Sequence, residues 1–248
     1  MTPYDDVNAV LTHLSASLTE LLGEQLIGLY LAGSLTYGDY DPGSSDIDFL
    51  AVLCKELSVE QLEAVRTLHA GIGAAVLRWA KRLEGSYITS AMIVARDRPT
   101  VPRPYINGGE INLYALQECG VALIGPAPRE LFPHIDIEDV RAASRRDLID
   151  HWLPKLADPD AFIQAGYDGD HLRAYAVLTM CRILHRAAHD GIVSKRVAST
   201  WVKQTYGEPW RSLVQQAESW RHDKAMTGDQ EVKDFIAFTA REVGIADA

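Results

Sequence analysis

Asp46 and Asp48 stand two residues apart in SDIDFLAVL, a run that is otherwise apolar and β-like. Residues two apart in a strand project from one face, so the spacing predicts two carboxylates side by side where aspartate is otherwise disfavoured. Like charges that close either share a proton or are neutralised by a cation, and a pair of carboxylates suits a hard divalent ion such as magnesium. Upstream, the apolar run LIGLYLA ends in Gly33 and Ser34. Gly33 can turn the backbone without a Cβ clash, and Ser34 offers a hydroxyl and an N–H to an anion, as a triphosphate would require. A polar loop over residues 38–45 then returns the chain. Asp46 and Asp48 would thereby meet the same phosphates through two metal ions, one activating an attacking oxygen and one stabilising a leaving group.

These residues need neighbouring strands to hold them. LIGLYLA and IDFLAVL supply two, and SYITSAMIV is predicted as a third, with Glu84 just before it. Val7, Val10, Leu11, Leu14, Leu18, Leu21 and Leu22 recur at helical spacing, and Gly23 can end that first helix. Ser58 and Gln61 form a capping box for a second helix running to about Arg82. Residues 97–109, rich in proline and glycine, read as an irregular excursion. Beyond Pro128 five helical patterns follow with no strand between them. The expected fold is therefore α+β: a mixed β-sheet flanked by helices over residues 1–136, then an all-α bundle over 137–248.

With 248 residues, 47% of them hydrophobic, the chain can bury substantial cores. Its net charge of -10 argues against a general nucleic-acid binder, because phosphate contacts leave a basic footprint. A small cationic partner fits better. Cys54, Cys119 and Cys181 are too scattered for a disulfide framework or a zinc knuckle and are expected to be buried thiols. The N-terminus lacks a basic start followed by an apolar core, and no apolar run is long enough to span a membrane, so no membrane association and a cytoplasmic location are expected. GIGAAV at Gly71 lacks the last glycine of a dinucleotide fingerprint and sits inside a helical pattern. His185 and His189, four apart on one helix, could clamp a metal but have no third ligand in register.

The order strand, Gly-Ser, loop, Asp-x-Asp, strand resembles that of the polymerase-β-like nucleotidyltransferases. SYITSAMIV, GVALIGPAPRELF and above all YAVLTMCRILHRAAHDGIVSKRVASTWV resemble the aminoglycoside (3'')(9) adenylyltransferases, which join such a catalytic domain to a helical one. The resemblance implies that Ser34 and Ser45 touch nucleotide phosphates, that Asp46 and Asp48 bind magnesium, and that Glu84 is the general base for the acceptor hydroxyl. Arg182 and Lys195 match basic residues that reach ATP. Tyr167, Asp168 and Asp170, in a loop of acidic and aromatic residues, are the candidates for the acceptor, although YDGD is also a good turn and helix-capping sequence. The implied reaction is magnesium-dependent adenylyl transfer from ATP to a hydroxyl of streptomycin or spectinomycin. Two alternatives stay open: the same chemistry on another hydroxylated metabolite or a protein hydroxyl, and a non-catalytic nucleotide-binding module.

Overall fold

The structure is a computed structural model that describes residues 2–42, 45–74, 82–95, 109–163, 169–220, 225–226 and 228–245. Its contacts divide the chain into two compact units, Met1–Asp136 and Ile137–Ala248.

In the first unit, helix α1 (Asp5–Leu22) buries Val7, Val10, Leu11, Leu14, Leu18 and Leu22, and Gly23, at φ +51°, ends it. Strands β1 (Leu26–Ala32) and β2 (Ile47–Leu53) coincide with the runs LIGLYLA and IDFLAVL and pair antiparallel. Helix α2 (Val59–Ala74) starts in the reciprocal capping box, with Ser58 N–H donating to Gln61 Oε1 at 3.0 Å and Gln61 N–H to Ser58 Oγ at 3.2 Å. Its expected continuation toward Arg82 falls on residues 75–81, outside the described residues. The chain returns as β3 (Leu83–Thr89), parallel to β2. The third strand thus starts earlier than SYITSAMIV suggests and stops at Thr89, because Ser90–Ala95 forms a short helix, α3. Thr89 Oγ1 accepts the Met92 N–H at 3.2 Å and closes that first turn, a local competition that apolar alternation does not reveal. Helix α4 (Glu110–Cys119), strand β4 (Val121–Ile124) and the single turn α5 (Pro128–Leu131) complete the unit. Sheet order is β3-β2-β1-β4, with β4 antiparallel to β1.

Register sorts the sheet into two faces. Phe49, Ala51 and Tyr87 belong to the face packed on α1 and α2, and Gly85 lies opposite Phe49 because a Cβ there would meet the phenyl ring at 2.2 Å. On the other face, Tyr30, Leu50 and Ser86 form a buried row across three strands. Tyr30 donates its hydroxyl to Pro126 O at 3.1 Å and stacks edgewise on Phe132, and burial with the nearby Glu130 charge pushes its phenol up to about 12.

In the second unit, α6 (Ile137–Asp147) runs on through a π turn, Leu148–Trp152, and a 3-10 turn, Leu153–Leu156. The long helix α7 (Gly169–Ala188) is central, packed against α6, α8 (Lys195–Thr205), α9 (Trp210–Ser219) and α10 (Asp229–Glu242). Ala174, Val177, Met180, Cys181 and Leu184 meet Ala198, Val202, Val214, Phe235 and Ile236 in its core. Of the three cysteines only Cys181 is buried; Cys54 is exposed and Cys119 intermediate, because Cys54 follows the last residue of β2 as the chain leaves the sheet. Among the described residues, no helix is long and apolar enough to cross a membrane.

Candidate active site

The end of β1 is shaped by one glycine. Gly33, at φ +67°, leaves the strand and opens a 3-10 turn, Gly33–Leu35, whose carbonyl takes the Thr36 N–H at 3.0 Å and the Thr36 hydroxyl at 2.8 Å. Ser34 sits in this turn, and its carbonyl accepts the Asp39 N–H at 3.1 Å. At the far end of the loop, Ser45 and Asp41 hold each other: Ser45 N–H donates to Asp41 O at 2.8 Å and Asp41 N–H to Ser45 Oγ at 3.0 Å. The Ser45 oxygen accepts, so its O–H keeps the capacity to donate to an anion. Both ends of the loop are thereby fixed immediately beside the carboxylates.

Sheet register does the rest. Asp48 lies opposite Ala32 of β1 on one side and opposite Glu84 of β3 on the other. Paired residues on neighbouring strands stand roughly 4.8 Å apart and project from the same face. Asp48 and Glu84 are therefore adjacent carboxylates at the end of the face whose next row is Tyr30, Leu50 and Ser86. Glu84 lies inside β3, one residue from its start, not ahead of the strand, and this is what sets its direction. Asp46 precedes β2 by one residue, and all three acidic residues are half-buried. The Asp48 carboxylate packs directly on Gly33: a Cβ built on Gly33 would fall 1.9 Å from Asp48 Oδ2. Any side chain at position 33 would occupy the space that this carboxylate uses.

The helical unit presents cations. Thr179 is one turn and Tyr175 two turns before Arg182, so the three share a side of α7. Arg182 Nη2 reaches Thr179 Oγ1 at 3.5 Å, while its Nε is sealed from solvent and finds no hydrogen-bond partner among the described residues. Lys195, in the first turn of α8, lies 5.5 Å over the ring of Tyr175. The turn itself is capped by Ser194, whose Oγ accepts the Val197 N–H at 3.2 Å. Asp170 has a structural occupation: one oxygen takes Arg173 Nη1 at 2.9 Å and the other the Met226 N–H at 3.2 Å. Tyr167 and Asp168 lie outside the described residues.

Residues 130–242 match the family model described as aminoglycoside adenylyltransferase, C-terminal domain. That match lies almost wholly within the helical unit, Ile137–Ala248. The fold of the chain is similar to that of a solved structure, spectinomycin adenyltransferase AAD(9) from Enterococcus faecialis with ATP and spectinomycin, at a TM-score of 0.68 and 19% identity. That likeness covers 95% of this chain and 98% of the other. No curated protein sequence matches the chain.

Two features of the site carry information that the sequence alone hides. Tyr175, 44% exposed, supports Lys195, and only its spacing from Arg182 on the helix points to it in advance. Gly85 admits Phe49 against β3 beside Glu84, and the signal for it is a glycine inside a strand. Among the described residues no three His, Cys, Asp or Glu side chains gather into a metal site of their own. Asp46 and Asp48 are two hard oxygen donors, and the space over Gly33 keeps other side chains off the second. This donor set fits a magnesium ion that completes its shell with phosphate oxygens and water.

Proposed function

We propose that this enzyme transfers the adenylyl group of ATP to a hydroxyl of an aminoglycoside or aminocyclitol of the streptomycin or spectinomycin type, with magnesium, releasing pyrophosphate. The observation that carries the reading is the pairing of Asp48 with Glu84 across β2 and β3, over a Gly33 that leaves room for the carboxylate. One carboxylate has a metal-holding role and its neighbour a proton-accepting one.

Asp46 and Asp48 would hold magnesium, which when bound supplies positive charge against the triphosphate and the charge developing at the transferred phosphorus. Ser34 and Ser45 donate to phosphate oxygens from the two fixed ends of the loop. Arg182, with an unmatched Nε, and Lys195, propped on Tyr175, neutralise phosphate charge from the helical unit. Glu84 accepts the proton of the acceptor hydroxyl as that oxygen attacks the α-phosphorus, and the bond to pyrophosphate breaks. Carboxylates beside the reacting centre also favour a polycationic acceptor over a neutral one. Tyr167, Asp168 and Asp170 are the proposed acceptor contacts, and Asp170 also accepts from Arg173 and from the Met226 backbone.

The test is transfer of label from α-labelled ATP to a panel of aminoglycosides and aminocyclitols. Label in streptomycin or spectinomycin, with pyrophosphate released in equal amount, is the expected result. Label only in another metabolite or in a protein would reassign the acceptor, and ATP binding without any transfer would leave a nucleotide-binding module.

A further inference from the structure

The end of α7 carries His185 in its last turn, and His189 is the first residue after it; adenylyl transfer uses neither. The His189 N–H donates to His185 O at 2.9 Å, so the i to i+4 geometry persists one residue past the helix end and brings the two side chains to one side. Their ring centres are 4.7 Å apart with planes at 42°. Two imidazole nitrogens bound about 2.05 Å from one ion, at an angle of roughly 90–110°, place their ring centres roughly 4.5–5.2 Å apart. The observed separation falls inside that window.

Trp201 of α8 packs edgewise on both rings, at 5.5 Å from His185 and 5.1 Å from His189, and so limits their rotation. His185 is buried, and its Nδ1 has no hydrogen-bond partner among the described residues. The fold thus leaves part of this imidazole's bonding capacity unused at a site where an unmet polar atom costs free energy. Arg186, the intervening cation, donates from Nη1 to Ser144 of α6 at 3.1 Å. Beside His189, Asp190 contributes a negative charge, paired with Arg141 at 2.7 Å.

We propose that His185 and His189 form a two-histidine clamp for a divalent transition-metal ion of the zinc and nickel class, separate from the Asp46 and Asp48 carboxylates. Imidazole nitrogens favour such ions over magnesium, and water completes the coordination shell. The bound ion ties the residue that follows α7 to its last turn, at the end of the helix that carries Tyr175 and Arg182.

Calorimetry on the full chain, free of any histidine tag and with excess magnesium present, tests this directly. One zinc or nickel ion per chain is expected, and zinc should raise the thermal midpoint of the native protein. His189→Gln, at an exposed position, should preserve the far-ultraviolet circular dichroism, lower affinity at least tenfold and abolish the zinc-dependent rise; His185→Gln should do the same. Nickel should also quench tryptophan emission in the native chain, through Trp201, and not in His189→Gln. Absence of stoichiometric binding in the native chain, or binding unchanged by His189→Gln, would overturn the proposal. Neither readout depends on catalysis, so failure of the clamp leaves the adenylyl-transfer reading untouched.

Discussion

Gly33 and Gly38 offer a matched pair of perturbations. Both adopt left-handed backbone, at φ +67° and +69°, so alanine at either should lose roughly 1–2 kcal/mol to backbone strain. Their surroundings differ. A Cβ on Gly38 meets nothing within 4 Å, whereas one on Gly33 falls 1.9 Å from Asp48 Oδ2. Ordinary contact begins near 3.4 Å, so the Asp48 carboxylate must retreat by about 1.5 Å. Rotation of the short side chain relieves the contacts with Oδ2 and with Cγ at 2.8 Å, and Cβ, at 3.1 Å, must give by only a few tenths of an ångström, so the retreat costs little stability. It is expensive for chemistry, because a misplacement of about 1 Å at a reacting centre costs on the order of 10²-fold in rate. Gly33→Ala should therefore lower kcat/KM for label transfer at least 10²-fold, and Gly38→Ala should stay within a few fold of the native enzyme. Urea unfolding should show the two variants destabilised alike, and initial-rate measurements at saturating ATP and acceptor should separate them. Equal activity in the two variants would refute the role of the space over Gly33.

Glu84→Gln should leave Mg-ATP binding near native and slow single-turnover transfer by roughly 10²–10⁴-fold, as expected for loss of a general base; Asp48→Asn should impair both, and near-native turnover by either variant would remove its residue from the chemistry. Arg182→Ala should weaken Mg-ATP binding by about 1–3 kcal/mol in calorimetry, with Lys195→Ala in the same direction, and unchanged affinity in both would separate the helical unit from the phosphates. Burial holds His69 below the usual histidine range, so the unfolded chain binds its proton more readily. The stability this contributes is complete above about pH 6.5 and is lost as pH falls through the lower folded-state value, at no more than about 1.4 kcal/mol per pH unit. His69→Gln should flatten that acid-side slope in urea unfolding, and an unchanged slope would place its origin elsewhere.

Legibility in the sequence followed how local the cause was. Strands β1 and β2 are continuous apolar runs bounded by a glycine turn and a polar loop, and each begins and ends where its residues indicate. The α2 capping box is two side chains three residues apart, and it forms as read. The end of β3 was not legible, because SYITSAMIV keeps an apolar composition across the point where Thr89 turns the backbone into α3. Strand β4 is only four residues long and half-exposed, so it has no alternation to detect; its place comes from pairing with β1.

The candidate site shows the same division. Gly33, Asp46 and Asp48 stand within sixteen residues, and their types and spacing suffice to suggest phosphate and metal chemistry. Glu84 is distant in sequence, and only the parallel register of β2 and β3 makes it the neighbour of Asp48. That register depends on Phe49, which lies against Gly85 and stacks on His69 at 5.7 Å, while His69 Nε2 and the Tyr87 hydroxyl meet at 2.8 Å. Phe49 and Gly85 each follow one of the two carboxylates directly, on the opposite face of the sheet. The contact between a phenyl ring and a glycine thus aligns two acids on the other side, which is why neither acid could be paired from its own local sequence and why the site is built from the core outward.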